Sequence, residues 1–308
     1  MKKLILIFPL LFSIIAFGQF DPNFRQNKFN ALLLNPAQAG ANEFSEITIL
    51  GTQSWVGFDG APRSMTASGN FNLNHNLGLG VSGHIDQLGP TRSSRISSDL
   101  AYHLKINDEW TASLGLRAMI SSIYVDLPSL TTTVKDDPYM QQALVSGTLF
   151  DVGFGGLIYS EQYYFGISMP RLARVSFMNV DMQEYVDRRG FVSYGGATFD
   201  IASGWEFRPS LVSRYIPTYP LLLDVNAMFT YDSDYDFGIN YQLMNSIGLV
   251  LGYHLGEQMS FGYAYSYPTS ELNRISFQTH ELAIKIRILN QGGGSGNTRS
   301  SQSPRFFN

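Results

Sequence analysis

The feature that most restricts this chain is a period of two in its hydropathy. From Leu77 to Asp86, Leu77, Leu79, Val81 and Ile85 alternate with Gly78, Gly80, Ser82, His84 and Asp86. From Trp110 to Ile120, six apolar residues alternate with Thr111, Ser113, Gly115 and Arg117. Further on, Ile96, Leu100, Tyr102 and Leu104 oppose Arg95, Asp99 and His103; Trp205, Phe207, Leu211 and Tyr215 oppose Glu206, Arg208 and Arg214. The pattern persists through Tyr235–Tyr241 and Phe261–Tyr267 to Leu282, Ile284, Ile286 and Ile288, which oppose Glu281, Lys285 and Arg287. Successive side chains of a strand point to opposite faces, so each stretch reads as a strand with one apolar and one small or polar face.

Composition decides which kind of sheet this is. Only 15% of residues are charged, whereas 14% are aromatic, with 17 Tyr and 22 Phe, and 29 are Gly. A soluble sandwich also alternates, but its outer faces need more charge than this chain carries. A transmembrane barrel inverts the arrangement, turning apolar faces and aromatic girdles to lipid and polar faces to the lumen. The expected fold is therefore an all-β, transmembrane, antiparallel up-and-down barrel of about 14 strands.

The N-terminus agrees with export. Lys2 and Lys3 precede an apolar run from Leu4 to Phe17, the charge and hydropathy profile of a secretory signal peptide. The run is shorter than the ~20 residues of a spanning helix, which sets aside the alternative of a membrane anchor. Ala16 and Gly18 place cleavage before Gln19, and the absence of cysteine excludes a lipid-modified N-terminus and a disulfide framework alike. The remaining 290 residues carry 19 basic and 25 acidic side chains, a balance that does not suit nucleic acid.

The expected organisation is a signal peptide at 1–18, a periplasmic lead-in or partial plug at 19–42, the barrel at 43–289 and a flexible Gly/Ser-rich tail at 290–308, ending Pro304-Arg305-Phe306-Phe307-Asn308. That tail is either a disordered end or a short docking peptide. Short polar connections near residues 72–76, 107–109, 160–162, 202–204, 232–234 and 256–258 take every second position. The others include Gln53–Ala61, Ser122–Ser146 and Pro170–Gly190. This parity predicts short turns and both termini in the periplasm, with longer loops outside.

Residues that bear chemistry point away from catalysis. No GxSxG or HExxH motif is present, and the five histidines form no closely spaced pair. His84 with Asp86 is the best candidate for hydrolase chemistry, but a lumen hydrogen bond explains the pair better. No cofactor or metal is expected. The lumen-facing set includes His84, Asp86, Asp99, Arg117, Asp151, Arg208, Asp224 and Glu281, with Arg95, Glu206, Arg214, Asp236, Lys285 and Arg287. Their mixed sign suits either a water-filled pore or an interior cross-linked by ion pairs. The glycines at 78, 80, 153, 155 and 156 interrupt no alternation and read as tight wall packing.

The segment Asn35-Pro36-Ala37-Gln38-Ala39-Gly40, then Gln53-Ser54-Trp55-Val56-Gly57 and Ala61-Pro62, resembles the N-terminal signature of the PorP/SprF family of Bacteroidota outer-membrane proteins. The family's pattern has a "QW" pair where this chain has Gln53-Ser54-Trp55, a departure of one residue. Gly78-Leu79-Gly80, Asp86 to Gly89, Ala101-Tyr102 and Thr279-His280-Glu281 also look like the family pattern. The resemblance implies a non-enzymatic outer-membrane barrel of the type IX secretion and gliding machinery. It further implies, as partners, periplasmic components of that machinery and a secreted surface protein such as an adhesin. By matching, Asn35, Pro36, Ala37 and Gly40 form the N-terminal element, and Trp55, Gly57 and Pro62 the first extracellular loop, in a structural or partner-binding role. A general porin or solute transporter with a polar lumen is the alternative function.

Overall fold

In the computed structural model the residues described are 26, 29–42, 44–74, 76–126, 144–176, 190–217, 220–269 and 278–288. The expected signal peptide, the turn residue His75, most of the two longest loops and the C-terminal tail lie outside them. Fifteen strand segments follow in order: β1 (Ser45–Gln53), β2 (Arg63–Asn72), β3 (Leu77–Leu88), β4 (Thr91–Lys105), β5 (Thr111–Asp126), β6 (Leu144–Tyr159), β7 (Tyr163–Ser176), β8 (Phe191–Ala197), β9 (Phe199–Ala202), β10 (Trp205–Tyr215), β11 (Leu222–Tyr231), β12 (Tyr235–Gln242), β13 (Ser246–Leu255), β14 (Met259–Pro268) and β15 (Thr279–Ile288). All neighbours pair antiparallel, and β1 pairs with β15 from Ser45↔Ile288 to Gln53↔His280, closing the sheet. Segments β8 and β9 both pair with β10 and are two parts of one strand, so the barrel has 14 staves, as the alternation predicts.

Two prolines explain the irregularities. Pro209 of β10 has no N–H to give to a neighbour. Its register with β8 ends at Ser210↔Gly196 and resumes with β9 at Phe207↔Phe199, leaving Thr198 between. Pro170 was expected to end a strand, yet β7 continues to Ser176 through a register shift opposite Gly153. A side chain at Gly153 would stand 2.3 Å from the Pro170 carbonyl oxygen, so glycine makes room for the irregularity. The long connections are accordingly shorter than the sequence suggested, with β5 running on to Asp126 and β6 starting at Leu144.

The connections 73–76, 106–110, 160–162, 203–204, 232–234 and 256–258 all lie at one rim, together with the start of β1 and the end of β15. Their tightness has local causes. Asn74 Oδ1 accepts from the amides of Asn76 and Leu77, and Asn107 Oδ1 from those of Glu109 and Trp110. At the opposite rim the expectation of longer loops holds for 54–62, 127–143, 177–190 and 269–278, but not for the tight links 89–90 and 243–245.

The outer face is a band of Leu, Ile, Val, Phe and Tyr, reaching 72% exposure at Leu114 and 69% at Ile96. So much apolar surface is tolerable only against hydrocarbon. Trp205 stacks on Tyr231 (4.7 Å between rings) and Tyr235 on Tyr253 (5.3 Å) at the short-turn rim, where an aromatic girdle belongs. No helix among the described residues is long and apolar enough to cross a membrane; the crossing elements are strands.

Candidate functional site: a lumen plug and its seat

The buried core of this protein lies inside the barrel, around residues 29–42. That segment enters at the short-turn rim, where Asn72 holds the Asn42 carbonyl (3.0 Å). It reaches toward the far end of β15, where the Gln26 amide meets Glu281 Oε2 (3.3 Å). Two 3-10 turns, Ala31–Leu33 and Pro36–Gln38, keep it compact. The second is capped by Asn35, whose Oδ1 accepts from the Ala37 amide (2.9 Å), with Pro36 in the first turn where no N–H is needed.

The wall holds this plug mainly by its backbone. Thr48 donates to the Phe29 carbonyl, Arg117 to those of Leu32 (2.6 Å) and Leu33 (3.3 Å), and Ser168 to Leu34 (2.6 Å). Ser113 donates to Ala37 (2.8 Å), Asn70 to Gln38 (3.2 Å) and His103 Nε2 to Ala39 (2.7 Å). Because Nε2 of His103 faces a carbonyl, it carries the proton, and Nδ1 is the acceptor for the Tyr159 hydroxyl (3.3 Å). Plug carbonyls buried in the lumen thus receive the donors that burial requires.

Glycines form the floor of the seat. A side chain at Gly78 would stand 2.0 Å from the Ala39 carbonyl oxygen, one at Gly115 2.2 Å from the Ala37 nitrogen, and one at Gly155 2.0 Å from Asn35 Oδ1. Gly80 admits Leu32, and Gly262 admits Gln26 and Phe29. On the plug side Gly40 has φ +68° and lies against Gly78, while its amide donates to Asn70 Oδ1 (2.6 Å). Leu34, Ala37 and Ala41 pack with Leu157, Tyr159, Val192, Tyr194 and Val212, and Leu32 and Ala39 with Ala101.

The plug residues Asn35, Pro36, Ala37 and Gly40 and the wall that receives them fall within one family model, the type IX secretion system membrane protein PorP/SprF, which matches residues 16–286. The chain belongs to the PorP/SprF family. As a PorP/SprF protein it is an outer-membrane barrel of the type IX secretion system, whose partners include that machinery and the bilayer. No match is found among curated proteins. Among solved structures, similarity extends to a FadL homologue of Pseudomonas aeruginosa (10% identity, 87% of this chain and 95% of that one, TM-score 0.46). The CymD monoaromatic hydrocarbon channel (13% identity, 90% and 96%, TM-score 0.47) and the KdgM porin in complex with disordered oligogalacturonate (9% identity, 79% and 99%, TM-score 0.40) are also similar.

The remaining site residues of this PorP/SprF barrel fall into three groups. Asp99 and Arg117 serve the plug: Asp99, fully buried, grips the guanidinium at 2.6 and 2.9 Å and aims it at the plug carbonyls. Glu281 meets Gln26, as above, while Asp151 is buried on the inner face of β6. A second group links neighbouring staves. His84 Nδ1 meets Thr66 Oγ1 (2.7 Å) and Asp86 accepts from Ser64 (2.5 Å), so each of the two residues weighed for hydrolase chemistry is bonded to a hydroxyl of β2. Arg214 pairs with Asp224 (2.6 Å) and Lys285 with Glu46 (3.1 Å), whereas the Arg208–Glu206 pair (2.5 Å) lies within β10.

The third group is the β1–β2 connection with Trp55, Gly57 and Pro62. Its ends are tied by the Ser54 amide to the Pro62 carbonyl (2.9 Å), and the Val56 amide anchors it to Gln278 (3.2 Å). Trp55 sits at φ +49°, a strained conformation for a bulky residue, and its ring meets Phe58 edge-on at 6.4 Å. Val56 and Phe58 are exposed.

A hydrogen-bonded chain that sequence reasoning missed crosses four staves. Thr230 donates to Asp236 (2.6 Å), His254 Nε2 meets the same carboxylate (2.9 Å), and His254 Nδ1 meets Ser260 (2.8 Å). Only the lumen-facing parity of Asp236 hinted at it. Also missed were the inward tyrosines: Tyr159 and Tyr194 are buried in the lumen, whereas aromatic residues had been assigned to lipid. Among the described residues no group of three or more His, Asp or Glu is placed to hold a metal ion.

Proposed function

We propose that this PorP/SprF protein is a non-enzymatic barrel that binds a secreted cell-surface protein, such as an adhesin, and helps to export or anchor it. In this reading the short-turn rim, where the plug joins β1 and where β15 ends, faces the periplasmic machinery of secretion and gliding. The long connections, with the Trp55–Phe58 tip, face the partner outside. The observation that carries it is the plug. A barrel whose lumen donors are committed to its own residues 29–42 is poorly suited to pass solutes, which leaves its rims as the surfaces for work. The buried state of Ser260, 2% exposed, supports a structural rather than catalytic role for the Asp236–His254–Ser260 chain.

The test is affinity capture of the tagged barrel from native membranes, followed by mass spectrometry and surface display assays in a deletion strain. Co-purification of one large secreted protein, and its loss from the surface on deletion, is the expected result. Recovery of no surface protein, together with robust solute conductance, would favour a porin or solute transporter instead.

A further inference from the structure

We infer that Arg63 and Arg92, on the lipid-facing side of the wall, bind the phosphorylated sugar headgroup of a glycolipid in the outer leaflet. The inference rests on the orientation proposed above, with the long connections outside. On β3 the outward apolar residues run from Leu77 to Ile85, a rise of ~27 Å along the strand or ~20 Å across a wall tilted by ~40°, which is most of the ~25 Å lipid band. The next outward position is Gln87. On β2 the exposed Met65 is followed in the same direction by Arg63, on the face opposite the buried Thr66 and Ser68. Arg63 stands in register with Gln87, Gln87 with Arg92 of β4, and Arg92 with Tyr124 of β5. One row across four staves, past the end of the apolar run, thus carries two guanidiniums, an amide and a phenol, all exposed.

Among the described residues neither arginine side chain has an ion-pair partner. The carboxylates of this rim serve elsewhere: Asp86 faces the lumen and accepts from Ser64, while Asp59 in the 54–62 connection and Asp126 beyond Tyr124 bridge to neither guanidinium. Directly below the row, Ser94 and Ser122 face each other in register, and beneath them Ile96 and Ile120 meet hydrocarbon. What borders hydrocarbon at this level is the headgroup layer, so the missing counter-charge is available there as phosphate. An arginine suits that place, because its stem lies along the apolar wall while its fork binds phosphate bidentately. Arg63 and Arg92 are two staves apart, about 10 Å between backbones, and their long side chains can close on one diphosphorylated headgroup. Gln87, Ser94, Ser122 and Tyr124 supply partners for sugar hydroxyls, which favours a glycolipid over a simple phospholipid.

The experiment places the full-length barrel in phosphatidylcholine nanodiscs doped with diphosphorylated lipid A and measures, by native mass spectrometry, the glycolipid each barrel retains. Wild type is compared with Arg63→Gln/Arg92→Gln and with Lys105→Gln, an exposed cation of the opposite rim. Heat-modifiable migration on gels verifies folding; if the double variant fails, Arg92→Gln alone is read in the same way. The inference predicts retention at least about fivefold lower in the double variant and unchanged in Lys105→Gln, with dephosphorylated lipid A held by wild type no better than lipid A is by the variant. Equal retention by wild type and double variant, or wild-type retention of phosphatidylglycerol equal to that of lipid A, would overturn it. Orientation is read separately by a membrane-impermeant maleimide on intact cells carrying Asp59→Cys. Labelling there supports the outward placement, and a cysteine reached only after the outer membrane is broken would overturn that placement and this inference together.

Discussion

A single methyl group at Gly115 is expected to unseat the plug. An alanine Cβ there would stand 2.2 Å from the Ala37 nitrogen and 2.3 Å from the Pro36 carbonyl carbon. Both are backbone atoms and cannot rotate aside, so to reach ordinary contact the plug must retreat by about 1.2 Å. That shift stretches three plug–wall bonds past useful length: Ser113 to the Ala37 carbonyl (2.8 Å), and Asn35 to the Gly156 (2.9 Å) and Ile167 (3.3 Å) carbonyls. At about 1 kcal/mol each, the seat loses about 3 kcal/mol, roughly a hundredfold in the closed-to-open ratio. The assay is amide exchange within residues 29–42, with Gly83→Ala as control, since a Cβ at Gly83 meets nothing within 4 Å. Protection should fall by about two decades in Gly115→Ala and stay unchanged in Gly83→Ala. Equal protection in the two variants would refute the reasoning.

Other substitutions separate the parts of the account. Asp99→Ala leaves the Arg117 guanidinium buried without its carboxylate and should cost about 3–5 kcal/mol in denaturant unfolding, whereas Asp99→Leu/Arg117→Met should cost less than that single change. Tyr194→Phe removes the acceptor of Gln38 while keeping the ring over Gly166, so a loss near 1 kcal/mol is expected, measured by the same unfolding curves. Trp55→Ala, on the outer connection, should reduce capture of the secreted partner several-fold and leave heat-modifiable migration intact; unchanged capture would remove that loop from the partner surface.

The wall was legible in the sequence because its physics is periodic. A strand with lipid on one side and a filled lumen on the other must alternate, and Leu282, Ile284 and Ile286 against Glu281, Ala283 and Lys285 do so without exception. The PorP/SprF signature located the plug residues, but not what they touch. Asn35 bonds to Gly156 and Ile167, more than a hundred positions away, and nothing local in the sequence encodes such a distance. The seat glycines were visible as small residues on inward positions, yet an inward glycine signals only that something approaches the wall. Pro170 misled because its missing N–H usually ends a strand; here Gly153 across the ladder absorbs the irregularity. The inward Tyr159 and Tyr194 run against the girdle expectation, because a plugged lumen has an apolar interior of its own to fill.

The proposed role in holding a partner rather than passing solutes requires that residues 29–42 close the lumen of this PorP/SprF barrel. Single-channel recording in planar bilayers, comparing the wild-type barrel with one lacking residues 29–42, tests it most directly. The account predicts a nearly silent wild type and large, stable conductance steps from the plugless barrel. Wild-type steps as large as those of the plugless barrel would contradict it.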